Sequence, residues 1–123
     1  MLMLPWPPSV LSPNSRTHWA PKSRAAKAYR NSCFWCTKAS EILIDWDGIV
    51  HVWIKFYPPD RRHRDDDNVI SAFKAGRDGV AEALGLDDKR FRIHPWLSDR
   101  PVKGGCVQLS FNKSVLDNYT HAE

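Results

Sequence analysis

Residues 49–57 read Ile-Val-His-Val-Trp-Ile-Lys-Phe-Tyr, and this alternation constrains the fold more than any other stretch of the chain. Val50, Val52, Ile54 and Phe56 fall on one side of an extended segment, and His51, Trp53, Lys55 and Tyr57 on the other. A strand with one apolar face needs a second layer to cover it. Two helical stretches are available. From about Lys22 to Ile44, apolar residues return every three or four positions, and Ala26, Tyr29, Cys33, Cys36, Ala39 and Leu43 form the expected buried stripe. A second helix is expected from Asp67 or Asn68 to Leu84, with Val69, Phe73, Val80 and Leu84 facing inward, Asp67 as N-cap and Gly85 as C-cap. Gly76 and Gly79 weaken its middle by ~1 kcal/mol each, which asks for close packing against another element. A short strand over 2–6 is stopped by Pro5, Pro7 and Pro8, and Asp45-Trp46-Asp47-Gly48 reads as a turn. Two further strands are expected over 89–96 and 106–112, with Lys103-Gly104-Gly105 turning between them. The order predicts an α+β layer fold, β-α-β-α-β-β, with helices packed on a mixed sheet in one domain over residues 1–123.

Charge is distributed unevenly. Residues 1–40 contain Arg16, Lys22, Arg24, Lys27, Arg30 and Lys38 and no Asp or Glu, so all 14 acidic residues lie beyond them. A basic arm joined to an acid-rich remainder suits a polyanion held beside a cation site, while the plainer alternative is a solvated basic helix face. The loop before the first helix carries Asn14, Arg16, His18 and Trp19, residue types that lie on phosphates and bases or merely cap a core. The opening Met1-Leu2-Met3-Leu4-Pro5 lacks the features of a signal peptide, and no apolar run approaches the ~20 residues of a membrane span, so a cytoplasmic location is expected. Three cysteines argue against a disulfide scaffold. Cys33 and Cys36 share a helix face with no second pair nearby, which favours core packing over metal or redox chemistry.

Asp65-Asp66-Asp67 is the feature that chemistry must explain. In an extended segment residues i and i+2 project to the same side, so Asp65 and Asp67 converge while Asp66 points away. Two converging carboxylates repel unless a cation sits between them, and hard oxygen ligands suit Mg²⁺ or Mn²⁺. The competing account is a solvated acidic cluster at a helix N-terminus. Arg61, Arg62 and Arg64 beside the triplet favour a nucleic-acid site, because arginines draw in a phosphate backbone and stabilise charge on it. His63 reads as a phosphate contact or bystander rather than a general base. Lys74, seven residues beyond Asp67 on the same helical face, either pairs with Asp78 on the surface or reaches the scissile phosphate.

The segment Pro59-Asp60-Arg61-Arg62-His63-Arg64-Asp65-Asp66-Asp67-Asn68, the helix after it and Leu86-Asp87-Asp88 at its end resemble the RusA-type Holliday junction resolvases. Leu4-Pro5-Trp6-Pro7-Pro8-Ser9 is similar to that family's opening strand and proline turn, so the resemblance runs from Leu4 to Phe111. It implies a Mg²⁺-dependent endodeoxyribonuclease of recombination and repair, often carried by phages or prophages, that acts as a homodimer and nicks four-way DNA junctions symmetrically. The implied metal ligands and catalytic carboxylates are Asp65, Asp67 and Asp88. The family's catalytic lysine falls three residues after the Asn, where this chain has Ser71; Lys74 is its expected stand-in. Expected DNA contacts are Arg16, Arg24, Lys27, Arg30, Arg61, Arg62 and Arg64. Two alternatives stand beside this reading: a nuclease for flaps or structured RNA, and a non-catalytic structure-selective DNA-binding protein. An unbroken 17-residue helix would hold Asp67 and Asp88 about 25 Å apart, too far for one ion. Either that helix breaks near Gly76 or Gly79, or Asp88 comes from a second chain, with two such helices crossing at those glycines.

Overall fold

The alternating run becomes an interior strand of a four-stranded sheet. In the computed structural model, which describes residues 1–16 and 18–115, the main elements are β1 (Leu2–Pro5), α1 (Trp19–Ser40), β2 (Val50–Tyr57), α2 (Asp66–Ala72), α3 (Lys74–Leu84), β3 (Phe91–Leu97) and β4 (Cys106–Asn112). Residues 116–123 of the expected 1–123 domain lie outside the described residues. The strand order is β1-β4-β2-β3. β2 and β3 run parallel, and the other pairs are antiparallel. A parallel pair needs a crossover, and α2 and α3 supply it. The expected α+β architecture with a mixed sheet is therefore what forms.

Val50, Val52, Ile54 and Phe56 are buried as the alternation requires, and with Leu2, Leu4, Val107 and Leu109 they make the inner face. Tyr29, Cys33, Val69, Phe73 and Val80 meet them from the helices. Each such side chain contributes ~1.5–3 kcal/mol on burial. Pro95 lies in β3, an edge strand, where a missing N–H is tolerated.

The helices depart from expectation in three ways. First, α1 ends at Ser40 rather than Ile44. Glu41 adopts a left-handed conformation (φ 58°), and the Ser40 hydroxyl donates back to the Thr37 carbonyl at 2.6 Å. The buried stripe is consequently Tyr29, Cys33 and Thr37, whereas Ala39 and Leu43 are exposed. Thr37 joins the core because its hydroxyl is satisfied by the Cys33 carbonyl at 2.7 Å. Secondly, the second helix is two helices. Phe73 separates them with φ −82° and ψ −9°, and its N–H is shared between the Val69 and Ile70 carbonyls. The break falls at neither glycine.

Thirdly, the two glycines pack within the chain. A Cβ on Gly79 would collide with the carbonyl of Arg30, and one on Gly76 would lie 2.7 Å from the Tyr29 ring and 3.0 Å from the Cys33 sulfur. They let α3 lie against α1, so the expected crossing of two subunits at these glycines is overturned: that surface is already covered. Gly85 closes α3 as expected, left-handed (φ 68°), with Leu86 N–H donating to the Ala81 carbonyl.

Candidate active site

The loop leaving β2 is organised by Asp60. Its carboxylate accepts the Arg62 N–H at 3.0 Å and pairs with the Arg64 guanidinium at 2.9 Å. The Arg62 N–H and then the Arg64 guanidinium hold this carboxyl below the usual range. Arg64 also donates to the carbonyls of Asp60 and Arg62 and lies over the Trp6 ring. With its side chain only 17 % exposed, Arg64 holds the loop together. Arg61 and Arg62 face solvent, Arg62 while also pairing with Asp60 at 3.5 Å, so they are the arginines here with room for phosphate.

Asp65, not Asp67, caps α2. Its backbone is extended, and its Oδ1 accepts the Asp67 N–H at 2.9 Å. Asp67 is already helical, so the same-side argument from an extended run does not describe this triplet; the cap is what ties the two residues together. Asp65, Asp66 and Asp67 are all exposed, and none takes part in an ion pair among the described residues. Asp65 opens on a cleft of about 230 Å³ shared with Trp6, Asn14, Arg62 and Asn68. Asp66 opens on a second cleft, behind the His63–Arg64 wall, that reaches Trp96 and Asp99. Asp67 lines neither cleft.

Asp88 is elsewhere. It begins a short 3-10 turn, Asp88–Arg90, capped by Asp87, whose carboxylate accepts the Lys89 N–H at 2.9 Å and is held below the usual range by it. Arg90 fixes this turn to the entry of β2 by donating to the carbonyls of Trp46 and Gly48. The parallel register begins just beyond, with Val50 opposite Phe91. Asp88 thus precedes the N-terminal end of the β2–β3 pair, and Asp65 follows the C-terminal end of β2. An eight-residue strand at ~3.3 Å per residue separates them by roughly 25 Å. Among the described residues, no three His, Cys, Asp or Glu side chains gather as a metal site. Asp65 and Asp67 supply the hard, unneutralised oxygens a divalent cation accepts; Asp88 of the same chain is not beside them.

Lys74 opens α3 directly after Phe73 and pairs with Asp78 at 3.6 Å, the surface pairing that the sequence offered as the plainer alternative. Ser71 is exposed on α2. On the basic arm, Arg16, Arg24 and Lys27 are exposed, whereas Arg30 pairs with Glu82 at 2.6 Å and ties α1 to α3. Cys33 is buried, and desolvation pushes its thiol up to about 12, which leaves it inert in the core. The Asp60–Arg64 clamp escaped the sequence reading, although its four-residue spacing was a signal that could have found it.

Sequence comparison draws these features together. The crossover junction endodeoxyribonuclease rusA of Enterobacteria phage 82 is 32% identical over 117 residues, covering 91% of this chain and 92% of its own length. This chain belongs to the RusA family. An uncharacterized protein of Xylella fastidiosa is 42% identical over 112 residues, covering 89% of this chain and 73% of its own. No family model matches the chain. In this RusA-family chain, the cap at Asp65 and the clamp at Asp60 give the acidic loop a fixed shape in a field of arginines. Among the described residues, no helix is long and apolar enough to cross a membrane.

Proposed function

We propose that this protein is a Mg²⁺-dependent endodeoxyribonuclease that resolves four-way DNA junctions by paired, symmetric nicks during recombination and repair. The observation that carries the reading is the relationship to the phage 82 enzyme over nearly the whole of both chains. In support, the loop from Asp60 to Asn68 combines exposed carboxylates with exposed arginines. Asp65 and Asp67 hold the metal ion, and Arg61 and Arg62 bring the phosphate backbone to them. A divalent cation held by these carboxylates would supply Lewis-acid polarisation of the phosphodiester and activation of water. Lys74 stabilises the leaving oxygen once junction binding draws it from Asp78.

Asp88 completes the site from a second subunit. Its position at the far end of the β2–β3 pair favours this assignment, since one ion with ligands ~2.1 Å away cannot span a strand length. A two-fold dimer then carries two equivalent sites, as two symmetric cuts require. The second reading is a binding protein without cleavage, favoured by the Lys74–Asp78 pair. The deciding experiment offers labelled four-way junction, flap, linear duplex and structured RNA, each with Mg²⁺ and with EDTA. Paired metal-dependent nicks in the junction alone are expected. Tight junction binding without any cut leaves the second reading standing.

A further inference from the structure

The helices cover one face of the sheet, and the other face has a composition of its own. The four strands contain no Asp or Glu. On the helix-free face the β2–β3 register sets His51 beside Arg92, Trp53 beside His94, and Lys55 beside Trp96. These groups touch in sequence. His51 Nδ1 and His94 Nε2 are 2.9 Å apart, and the His94 ring stacks on Trp53 with centroids 4.2 Å apart and planes 17° from parallel. Further along, Lys55 Nζ stands 6.0 Å from the Trp96 ring, and Tyr57 meets Trp96 edge-on. Trp96 is 52% exposed, so its ring is accessible from solvent. Burial and the neighbouring His51 hold the His94 imidazole below its usual range, so at neutral pH its ring is an uncharged stacking partner.

We propose that this face is a platform for unpaired DNA bases, with the exposed Trp96 ring receiving a base face, the Trp53–His94 stack bracing the strands beside it, and Lys55 and Arg92 receiving phosphates. Flat rings interleaved with cations, on strands that carry no carboxylate to repel a backbone, are what sequence-tolerant single-strand binding uses. Charge decides the occupant. A second copy packed here about a two-fold axis would oppose Lys55 and Arg92 to the same groups with no acid on the four strands to neutralise them, whereas a nucleic acid supplies the missing charge. The platform also leads somewhere. Trp96 lines the cleft whose opposite wall is His63, Arg64 and Asp66, so bases stacked along β3 approach the acidic loop. Side chains on one strand face recur about every 6.6 Å, an interval that an extended, unstacked nucleotide chain can follow.

This inference rests on the chain being a DNA enzyme, and one set of measurements separates the two. The full chain, in EDTA, is titrated against a labelled 16-residue oligothymidylate and a linear duplex. Trp96→Ala is expected to weaken oligothymidylate binding about tenfold, on the scale of one lost base stack, with duplex binding unchanged. Trp96→Phe, which keeps a stacking ring, restores most of that loss. Lys55→Ala with Arg92→Ala lowers the salt dependence of oligothymidylate binding by about 1.4. A folded Trp96→Ala variant that binds oligothymidylate as the parent does overturns the platform. So does conversion of a dimer to a monomer by Trp96→Ala, which would give the face to a second copy. Junction nicking by a parent protein that binds no oligothymidylate ends this inference and leaves the enzyme; Trp96-dependent binding without nicking does the reverse.

Discussion

The two ends of the parallel β2–β3 pair carry the same device in different surroundings. Past the C-terminal end of β2, Asp65 accepts the Asp67 N–H; ahead of the N-terminal end, Asp87 accepts the Lys89 N–H, each at 2.9 Å. A leading aspartate fixes the turn, and the carboxylates after it face solvent. Around Asp65 stand Arg61 and Arg62, both open to solvent, on a loop clamped by Asp60 and Arg64. Around Asp88, the nearby Arg90 is occupied by the carbonyls of Trp46 and Gly48. The first end has its own means of meeting a phosphate backbone. The second has an exposed carboxylate with Lys89 and Arg92 as its open cations, on a turn tied to the backbone through Arg90.

The largest effect should come from breaking that division. Asp65→Asn and Asp67→Asn should each abolish junction nicking while leaving junction binding intact or tighter, because a negative charge facing phosphate has gone. Asp88→Asn should do the same. Mixing Asp67→Asn with Asp88→Asn under subunit exchange should then restore one working centre per mixed dimer and produce single-strand nicks. Freely exchanging subunits that never regain nicking would show that the two ends do not meet across an interface.

Particular residues show where sequence was enough. The alternation of Val50 to Phe56, the cap at Gly85 and the turn at Gly48 depend on local chemistry, and they stand where expected. The end of α1 does not, because Ile42 and Ile44 continue a helical period while packing against the core from irregular chain. The Phe73 break was hidden too. Residues 68–84 keep one apolar face through it, and Phe73 is itself part of the core. The acidic triplet was legible as chemistry, since Asp-x-Asp beside arginines is a local pattern. Its geometry was not, because whether Asp67 is extended or helical depends on which residue caps α2. The distance from Asp65 to Asp88 was invisible for a different reason: it follows from the parallel register of β2 and β3, a pairing between residues some forty positions apart.

The crossover that separates the ends is pressed onto α1 through Gly79, and a side chain there should loosen it. Gly79→Ala drives a methyl into the Arg30 carbonyl and should destabilise the fold by about 1–3 kcal/mol, with Gly76→Ala close behind. Chemical denaturation measures this. An unaffected midpoint for Gly79→Ala would mean that α1 and α3 are less tightly joined than their geometry shows.

A smaller effect tests whether the positive field of the acidic loop extends over the first helix. Arg24 and Lys27 are exposed and outside any ion pair among the described residues, whereas Arg30 is held by Glu82. Arg24→Glu with Lys27→Glu should weaken binding to every DNA shape and lower the salt slope by about two if both meet phosphate. Unchanged affinity and slope would confine DNA contact to the loop and the sheet.

The smallest effect distinguishes the Asp60 clamp from the Asp87 cap by how each carboxylate is stabilised. Asp60 and Asp87 both have acidities below the ordinary range, Asp60 through the Arg62 N–H and the Arg64 guanidinium, Asp87 chiefly through the Lys89 N–H. A carboxyl whose folded value is depressed adds stability that is fully present above its unfolded value of ~3.9 and is lost as pH falls through the folded one. Both should therefore contribute above about pH 4 and fade below it. Both are also exposed to solvent, so salt screens their ionic part. Asparagine keeps an oxygen for the N–H but gives up the charge. Asp60→Asn should thus lose stability at pH 7 in low salt and much less in 1 M salt, because a guanidinium pair has gone. Asp87→Asn should change little at either ionic strength, because its principal partner, a backbone N–H, is retained. Thermal unfolding of both variants from pH 3 to 7 at two salt concentrations reads this difference directly. Equal salt sensitivity would mean that Arg64 contributes no more to its end of the strand pair than Lys89 does to the other.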